Sequence, residues 1–399
     1  MRLNRFYTPI LCGVFIALPV HAASMKDVFE LATQLDAPLH AAQRTKAEQA
    51  LINAQSLTPE PMSLTLSGTS SLNDNLAPTQ DSREYEAELS IPLWQWGQKE
   101  RLLSQVKHAA QVEQQQLLLA RWELAGKVRE AVWAARLAQL EQRSAEQKKT
   151  ALEQIANDLA RQLKAGEVAP LDVNLAQQAL LQAEQELALS RQLASETVQQ
   201  FQSLLGADSE LPQHAEVIPS QLEAAHPQLL AVQAQAELAR AHLAQAQYDT
   251  RDTPELAISL TRERGSPDEE YKHLGKLSLR IPFGSDGRTQ ARVSSANVEL
   301  LSAQTQAQRL EKHIRTQQLA AQQALTQAQQ ALKFAEQNGQ LAAQAWQWQQ
   351  RSYRAGQTNL QAFLNAQRDF LDRGFAVQRA ELELGRATSH YLQTLGVLP

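Results

Sequence analysis

Two hydrophobic periods alternate along this chain, and the alternation occurs twice. Met62, Leu64, Leu66 and Leu72 interleave with Ser63, Thr65, Ser67 and Ser71. Tyr85, Ala87, Leu89, Ile91 and Leu93 interleave with Glu84, Glu86, Glu88 and Ser90. A period of two puts such sets on opposite faces of a strand. Residues 62–93 therefore predict a β-hairpin around a polar loop, 73–81, that holds Pro78. From Trp96 to about Lys164 there is no proline, and past Gly97 only Gly126 interrupts the helix formers. At 1.5 Å per residue that is a helix of about 100 Å. Val112, Trp122, Ala125, Val128, Val132 and Ala135 supply part of its apolar stripe. Lys164 to Pro170 is a turn: Gly166 suits the left-handed residue that ends a helix, and Pro170 suits the first turn of the next. The returning helix runs to about Leu205, with Leu175, Ala179, Ala183, Leu187, Ala194, Val198, Phe201 and Leu205 as its seam.

The same plan then recurs at an offset of 190 residues: Ile91-Pro92-Leu93 matches Ile281-Pro282-Phe283, Gly97 matches Gly287, Ala165-Gly166 matches Ala355-Gly356, and Leu205-Gly206 matches Leu395-Gly396. The chain is a duplicated element. Ahead of the first hairpin, Asp27 to about Ser56 reads as helix, indented at Pro38 and stopped by Thr58-Pro59-Glu60-Pro61. The linker 207–219 is rich in breakers, and the second copy opens near Ser220, with Pro227 echoing Pro38. Its hairpin, 255–283, uses Leu256, Ile258, Leu260, Leu277, Leu279, Ile281 and Phe283 around a charged loop from Arg262 to Lys272. Its long helix covers 287–353, its tip 354–358, and its last helix 359–395; Thr358 with Gln361 fits a capping box. The domain plan is thus 1–22 as a leader, 23–206 and 220–399 as repeats, and 207–219 between them.

The leader reads as a secretory signal peptide: Arg2 and Arg5, an apolar run from Ile10 to Val20, then small residues at Val20-His21-Ala22 and a mature start at Ala23. The run is about half of what a helix needs to cross a bilayer. The only cysteine, Cys12, lies inside it, so a mature chain has no disulfide or thiolate chemistry. With 38 basic against 43 acidic residues, nothing points to nucleic acid. Histidines such as His108, His214, His242, His313 and His390 are scattered, with no pair at ligand spacing, and no nucleotide-binding motif occurs. The reading is of a protein that is not an enzyme, with no cofactor and no metal site.

Four strands cannot close a barrel, and outer-membrane barrels need about eight or more. The apolar runs have the length of a tilted strand across a bilayer, where only a closed barrel satisfies every backbone group. Three copies of four strands make twelve. The expected class is α+β: duplicated long-helix hairpins with two β-hairpins per chain, trimerising into a twelve-stranded outer-membrane β-barrel and a periplasmic α-helical tunnel. Two shorter helices end to end, roughly 35 plus 39 residues, would match one long helix of about 67.

These marks resemble the TolC-like outer-membrane efflux proteins: Ile91-Pro92-Leu93 running to Gly97, Ile281-Pro282-Phe283 running to Gly287, the tip Leu163-Lys164-Ala165-Gly166 with Leu171-Asp172-Val173, and Tyr353-Arg354-Ala355-Gly356 with Leu360. The resemblance covers essentially the whole mature chain and suits heavy-metal and cation exporters, with drugs, dyes or peptides close behind. It implies a homotrimer in outer-membrane lipid, a periplasmic adaptor, and an inner-membrane pump, of the RND type before the ABC or MFS types. It implies that loops 73–83 and 263–273 are extracellular. It makes Lys164, Gly166, Asp172, Arg354, Gly356 and Thr358 the docking and gating tips. The family often closes the tip with aspartates and a salt bridge; here Ala362, Asn365 and Thr358 depart from that pattern, and only Asp172 keeps it. Asp369 and Asp372 are candidate substitutes, with solvated helix faces as the plainer reading. Glu84, Glu86 and Glu88 are either a water-facing strand face or a cation-favouring field in a channel mouth. The functional reading is a passive exit duct; the alternatives are a duct for protein or peptide secretion and a structural periplasmic coiled-coil protein.

Overall fold

The computed structural model describes residues 24–35, 56–70, 82–206, 210–220, 225–248, 252–266, 268–283 and 287–399. The expected signal peptide with Cys12, the stretch 36–55 of the first expected helix with Pro38, and the loop 73–81 lie outside them. The order is α1 (Met25–Leu35), β1 (Ser63–Ser70), β2 (Arg83–Pro92), α2 (Gln98–Ala165), α3 (Pro170–Leu205), α4 (Pro227–Tyr248), β3 (Glu255–Arg264), β4 (Lys272–Arg280), α5 (Gly287–Arg354) and α6 (Leu360–Thr394).

The long helices α2 and α5 each have 68 residues, about 100 Å at the standard rise. Their ends are built alike. Gly166 and Gly356 sit at φ 78 and 70, in the left-handed region that glycine enters without a Cβ penalty. The Gly166 N–H donates to the Leu163 carbonyl at 3.0 Å and the Glu167 N–H to Gln162 at 2.9 Å. One repeat later, Gly356 donates to Tyr353 at 3.0 Å and Gln357 to Ser352 at 2.9 Å. These bonds satisfy the last carbonyls of each helix. Pro170 then opens α3. The α6 cap differs from the expected box: Asn359, not Thr358, is the N-cap, and its side chain accepts from the Ala362 N–H at 2.9 Å. The Asn359 Oδ1 reaches that N–H from an extended backbone at φ −82, ψ 163.

α2 is the central helix. It packs on α1 and α3 of its own repeat and on α4 and α6 of the other. Val112, Ala125, Val128, Val132 and Ala135 of the expected stripe are buried, as are Ala183, Leu187, Ala194, Phe201 and Leu205 of the α3 seam. One core joins Met25, Val28 and Ala32 of α1 to Val128, Val132, Trp133 and Ala135 of α2 and to Phe201 and Leu205 of α3.

The helices α4 and α6 both lie between α2 and α5, and they meet end to end. A Cβ on Gly396 would stand 2.7 Å from Pro227 Cδ and 3.1 Å from His226 Cα. α4 has 22 residues and α6 has 35, so the pair is shorter than the expected 35 plus 39. The second copy's first helix starts at Pro227, and residues 210–220 and 225–226 have no helix.

The four strands form one antiparallel sheet in the order β1-β2-β3-β4, with free edges at β1 and β4. β3 runs to Arg264, so the second loop is shorter than expected, 265–271. Where sheet and helices meet, the Leu93 N–H donates to Pro254 O at 2.7 Å, Trp94 Nε1 to Leu57 O at 3.0 Å, and Gln95 Nε2 to Asp252 O at 2.9 Å.

Candidate functional site

The sheet register assigns each expected face. Leu64 pairs with Leu89, and Leu89 with Ile258, which pairs with Leu277. Leu66, Ala87 and Leu260 form the next row, and Ile91, Leu256 and Leu279 the row on the helix side. All of these share one face because side chains alternate with period two. Leu66 is 74% exposed and Leu260 68%. An apolar face this open, on a sheet with two unpaired edges, is not a finished soluble surface.

The opposite face is polar and more enclosed. Glu88 stands between Thr65 and Ser259, Glu86 between Ser67 and Thr261, and Glu84 between Thr69 and Glu263. Ser259, 2% exposed, lies in the middle of this face and pairs with Lys276. The sequence reading found the three glutamates of β2. It missed Glu263 and Lys276, which share their face only through the pairing of separate strands.

At the far end of the helices, the two tips converge. Val173, Ala176 and Leu360 are buried with Ala156 and Leu159, and Tyr353, Phe363 and Leu364 pack on them. Tyr353 stacks on Phe363 at 4.4 Å, and Trp346 lies 5.0 Å from Phe363 and 6.1 Å from Phe370. The equivalent positions of the first repeat hold Ala156, Leu163, Val173 and Leu180, so the duplicated hairpin is stapled by aromatics in one copy and aliphatics in the other. Burial, and then the charge of Asp172, raise the Tyr353 phenol above its ordinary pKa. Lys164, Gly166, Arg354 and Gly356 are exposed, and Thr358 is half-buried.

The two deeper aspartates differ. Asp369 pairs with Arg373 on its own helix at 3.2 Å. Asp372 instead reaches across to Lys148 of α2 at 2.9 Å, and Lys148 also meets Glu186 of α3 at 3.2 Å. Burial alone lowers the Lys148 pKa, but the bonds to Asp372 and Glu186 carry it above the ordinary lysine value. Three helices are tied by one ammonium. Lys148, Glu186, Asn365 and Arg368 line a groove of about 280 Å³ between α3 and α6. Nothing in the sequence marked Lys148, because its partners lie on two other helices.

A third cluster sits at the waist, where α4 meets α6. Arg129, on the face of α2, donates to Glu216 from Nε and Nη2, to Gln393 Oε1 at 2.5 Å and to the Val397 carbonyl at 3.0 Å. Trp122 donates from Nε1 to the Gln393 carbonyl at 2.9 Å and stands edge-on to His226 at 5.0 Å. Trp133 Nε1 donates to Ser389 Oγ at 2.9 Å. Among the described residues no group of three or more His, Cys, Asp or Glu is placed to hold a metal ion, and no helix is long and apolar enough to cross a membrane.

The chain thus folds as a four-stranded sheet with one open apolar face, carried on two pairs of long helices. Residues 34–207 match the profile of the family described as outer membrane efflux protein. Over the whole chain the fold is similar to VceC, the outer membrane protein of Vibrio cholerae, with a TM-score of 0.76, 15% identity, and coverage of 94% of this chain and 96% of that one. It is also similar to the CmeC outer membrane channel of Campylobacter jejuni (TM-score 0.73, 14% identity, 93% and 85% coverage). The open-state MtrE channel of Neisseria gonorrhoeae gives a TM-score of 0.72 at 13% identity, with 94% and 89% coverage. At these identities the likeness establishes the fold. No curated protein matches the sequence.

Proposed function

We propose that this chain is one third of a passive exit duct of a tripartite efflux system, with its sheet in the outer membrane of a Gram-negative cell and its helices in the periplasm. The observation that carries the proposal is the four-stranded sheet: an exposed apolar face, a polar face behind it, and two unpaired edges. Edges of this kind are satisfied inside a membrane only by closure. Joining β4 of one copy to β1 of the next, three times, closes twelve strands.

The helices carry matching unpartnered faces. Val298, Leu301, Leu319, Phe334, Leu341 and Trp348 of α5 are exposed and, at 100° per residue, fall within an arc of about 60°. Leu171, Leu181, Leu189 and Leu193 of α3 are exposed as well. A neighbouring copy of the chain covers these stripes in the assembly we propose.

The tips around Gly166 and Gly356, with Lys164, Asp172, Arg354 and Thr358, are the end that meets a periplasmic adaptor and, through it, an inner-membrane pump of the RND type. With Ala362 and Asn365 in the second tip, closure there falls to interactions between repeats, namely the charge of Asp172 near Tyr353 and the pair of Asp372 with Lys148. Asp369, held by Arg373, has a lesser part. Glu84, Glu86 and Glu88, joined by Glu263, line the barrel interior and favour cations there. Small toxic solutes are the cargo, either drugs or metal cations. The pump supplies the driving force, and the duct performs no chemistry.

The test is genetic. Deleting the gene should raise sensitivity to at least one toxic compound or metal ion, and restoring the intact gene should reverse it. A broad screen with no change contradicts the export role. Light scattering on detergent-extracted protein should give the mass of three chains; a monomer contradicts the closed barrel.

A further inference from the structure

The outward face of the sheet does not stay apolar to its end. Above the row of Leu66, Ala87 and Leu260 comes Tyr85, paired with Arg262, which pairs with His273. The next row pairs Arg83 with Arg264. By the alternation of the strands these residues share the face of Leu260 and Leu277. Arg83 and Arg264 thus stand directly opposite each other across the two strands.

Both arginines of β3 are held in place by one ring. The Arg262 guanidinium carbon lies 4.1 Å from the centre of the Tyr271 ring, and that of Arg264 lies 5.0 Å from it. Stacking of this kind orients a guanidinium and leaves its N–H groups free to donate. Arg264 Nε is buried and has no hydrogen-bond partner. Glu84 and Glu263 occupy the opposite face together with Lys272. Glu269 accepts from the Gly265 N–H at 3.4 Å within the loop, which also carries Asp268 and Glu270.

Position along the strand defines the ligand. The outward apolar rows are paired from Leu279 to Gly275 in β4, and the exposed Ile281 and Phe283 continue the run past its end; over those eight steps an extended chain covers about 27 Å. A tilt of about 40° makes that near 20 Å of membrane thickness, close to the apolar band of outer-membrane barrels. Arg262 and Arg264 therefore stand at the upper rim of the band, at the depth of lipid headgroups. Guanidinium groups recognise phosphate through paired N–H donors.

We infer that Arg262 and Arg264, braced on Tyr271, form a seat for the phosphate of an outer-leaflet lipid headgroup, the phosphorylated glucosamine end of lipopolysaccharide. The inference rests on the outer-membrane reading above. It assigns the loop-side end of the sheet a lipid-binding role in which a bound phosphate neutralises the crowded arginines.

The experiment uses full-length protein in a nonionic detergent, with bisphosphorylated lipid A as the probe and retained lipid counted by native mass spectrometry. Lipid A should bind well above its dephosphorylated form, and millimolar sodium phosphate should not displace it. A basic residue near an anionic lipid surface contributes about fivefold in affinity, so R262Q/R264Q should bind roughly 30-fold more weakly. R262K/R264K, which keeps the charge but loses the paired donors and the stacking, should bind more weakly than wild type and more tightly than R262Q/R264Q, and Lys276→Gln, on the other face, should keep all of it. Equal binding of the two lipid forms, equal binding by R262Q/R264Q, or displacement by sodium phosphate would overturn the seat. The comparison of lipid forms uses the wild-type protein and so stands even if a variant misfolds. If the wild type forms pores in planar bilayers yet shows no preference for phosphorylated lipid, the seat alone is wrong. If it forms no pores, the outer-membrane reading falls and the seat falls with it.

Discussion

Removing Arg129 should undock the waist of the molecule. Its guanidinium and the Glu216 carboxylate are 4% and 9% exposed, and their closest approach is 2.7 Å. The same guanidinium also holds Gln393 and the Val397 carbonyl. One side chain thus fastens both the connection between repeats and the end of α6 to the central helix. Replacing Arg129 with Met leaves Glu216 buried without its partner, and breaking a buried pair in this way costs about 3–5 kcal/mol. The loss should appear as local opening at the end of α6, where the Leu395, Gly396 and Val397 amides are hydrogen-bonded. In amide hydrogen exchange, protection there should fall by roughly 150-fold or more. Protection of the α2–α3 tip, on the other side of the waist, should not change. The double variant R129M/E216L should recover most of the loss, because an apolar pair of similar bulk leaves no stranded charge. Unchanged protection in R129M refutes this account of the waist. A double variant as open as the single one refutes the claim that the stranded carboxylate is the source of the cost.

Three further outcomes are expected. At Gly166 and Gly356 a Cβ would meet nothing within 4 Å, so only the left-handed backbone resists substitution, at about 1–2 kcal/mol for an L-residue; export should fall in the order Gly, Asn, Ala, Val while outer-membrane insertion holds, and equal export by all four contradicts the tip assignment. Burial lowers the pKa of His226, so the unfolded chain takes up the proton first as pH falls; stability should be full above about pH 6.5 and decline below it toward the folded value, with a flatter thermal-melting profile in His226→Gln, and parallel profiles would refute the assignment. Lys148→Met should free α6 from α2 and α3 and raise exchange around Asp372, with an effect of about 1 kcal/mol because the two carboxylates are half exposed; no change in exchange would remove the three-helix tie from the tip.

What the sequence made legible follows local rules. Gly166 with Pro170, and Ala355-Gly356, announced the helix ends because positive φ and a missing N–H are properties of single residues. The strand faces were readable from alternation, and pairing kept every expected apolar residue of β1 to β4 on one side. The capping residue was off by one, since Thr358 and Asn359 are both good caps and only backbone geometry chooses between them. Other features are tertiary. Arg129 looks like any surface arginine of a polar helix until Glu216 and Gln393 arrive from the linker and the last helix. Lys148 gains its role from α3 and α6 together. Arg262 and Arg264 read as loop residues, and the structure makes them the top of β3. The duplication also concealed a division of labour: Trp122, Arg129 and Trp133 of the central helix α2 correspond to Lys312, Leu319 and Gln323 of the peripheral α5.

The central claim is that the sheet of one chain is a fraction of a pore wall. Adding purified, detergent-extracted protein to a planar lipid bilayer tests it directly. Discrete conductance steps, larger for cations than for anions given the glutamates of β2, are the expected result. A bilayer that stays silent while the same preparation remains folded and binds membranes would contradict the account.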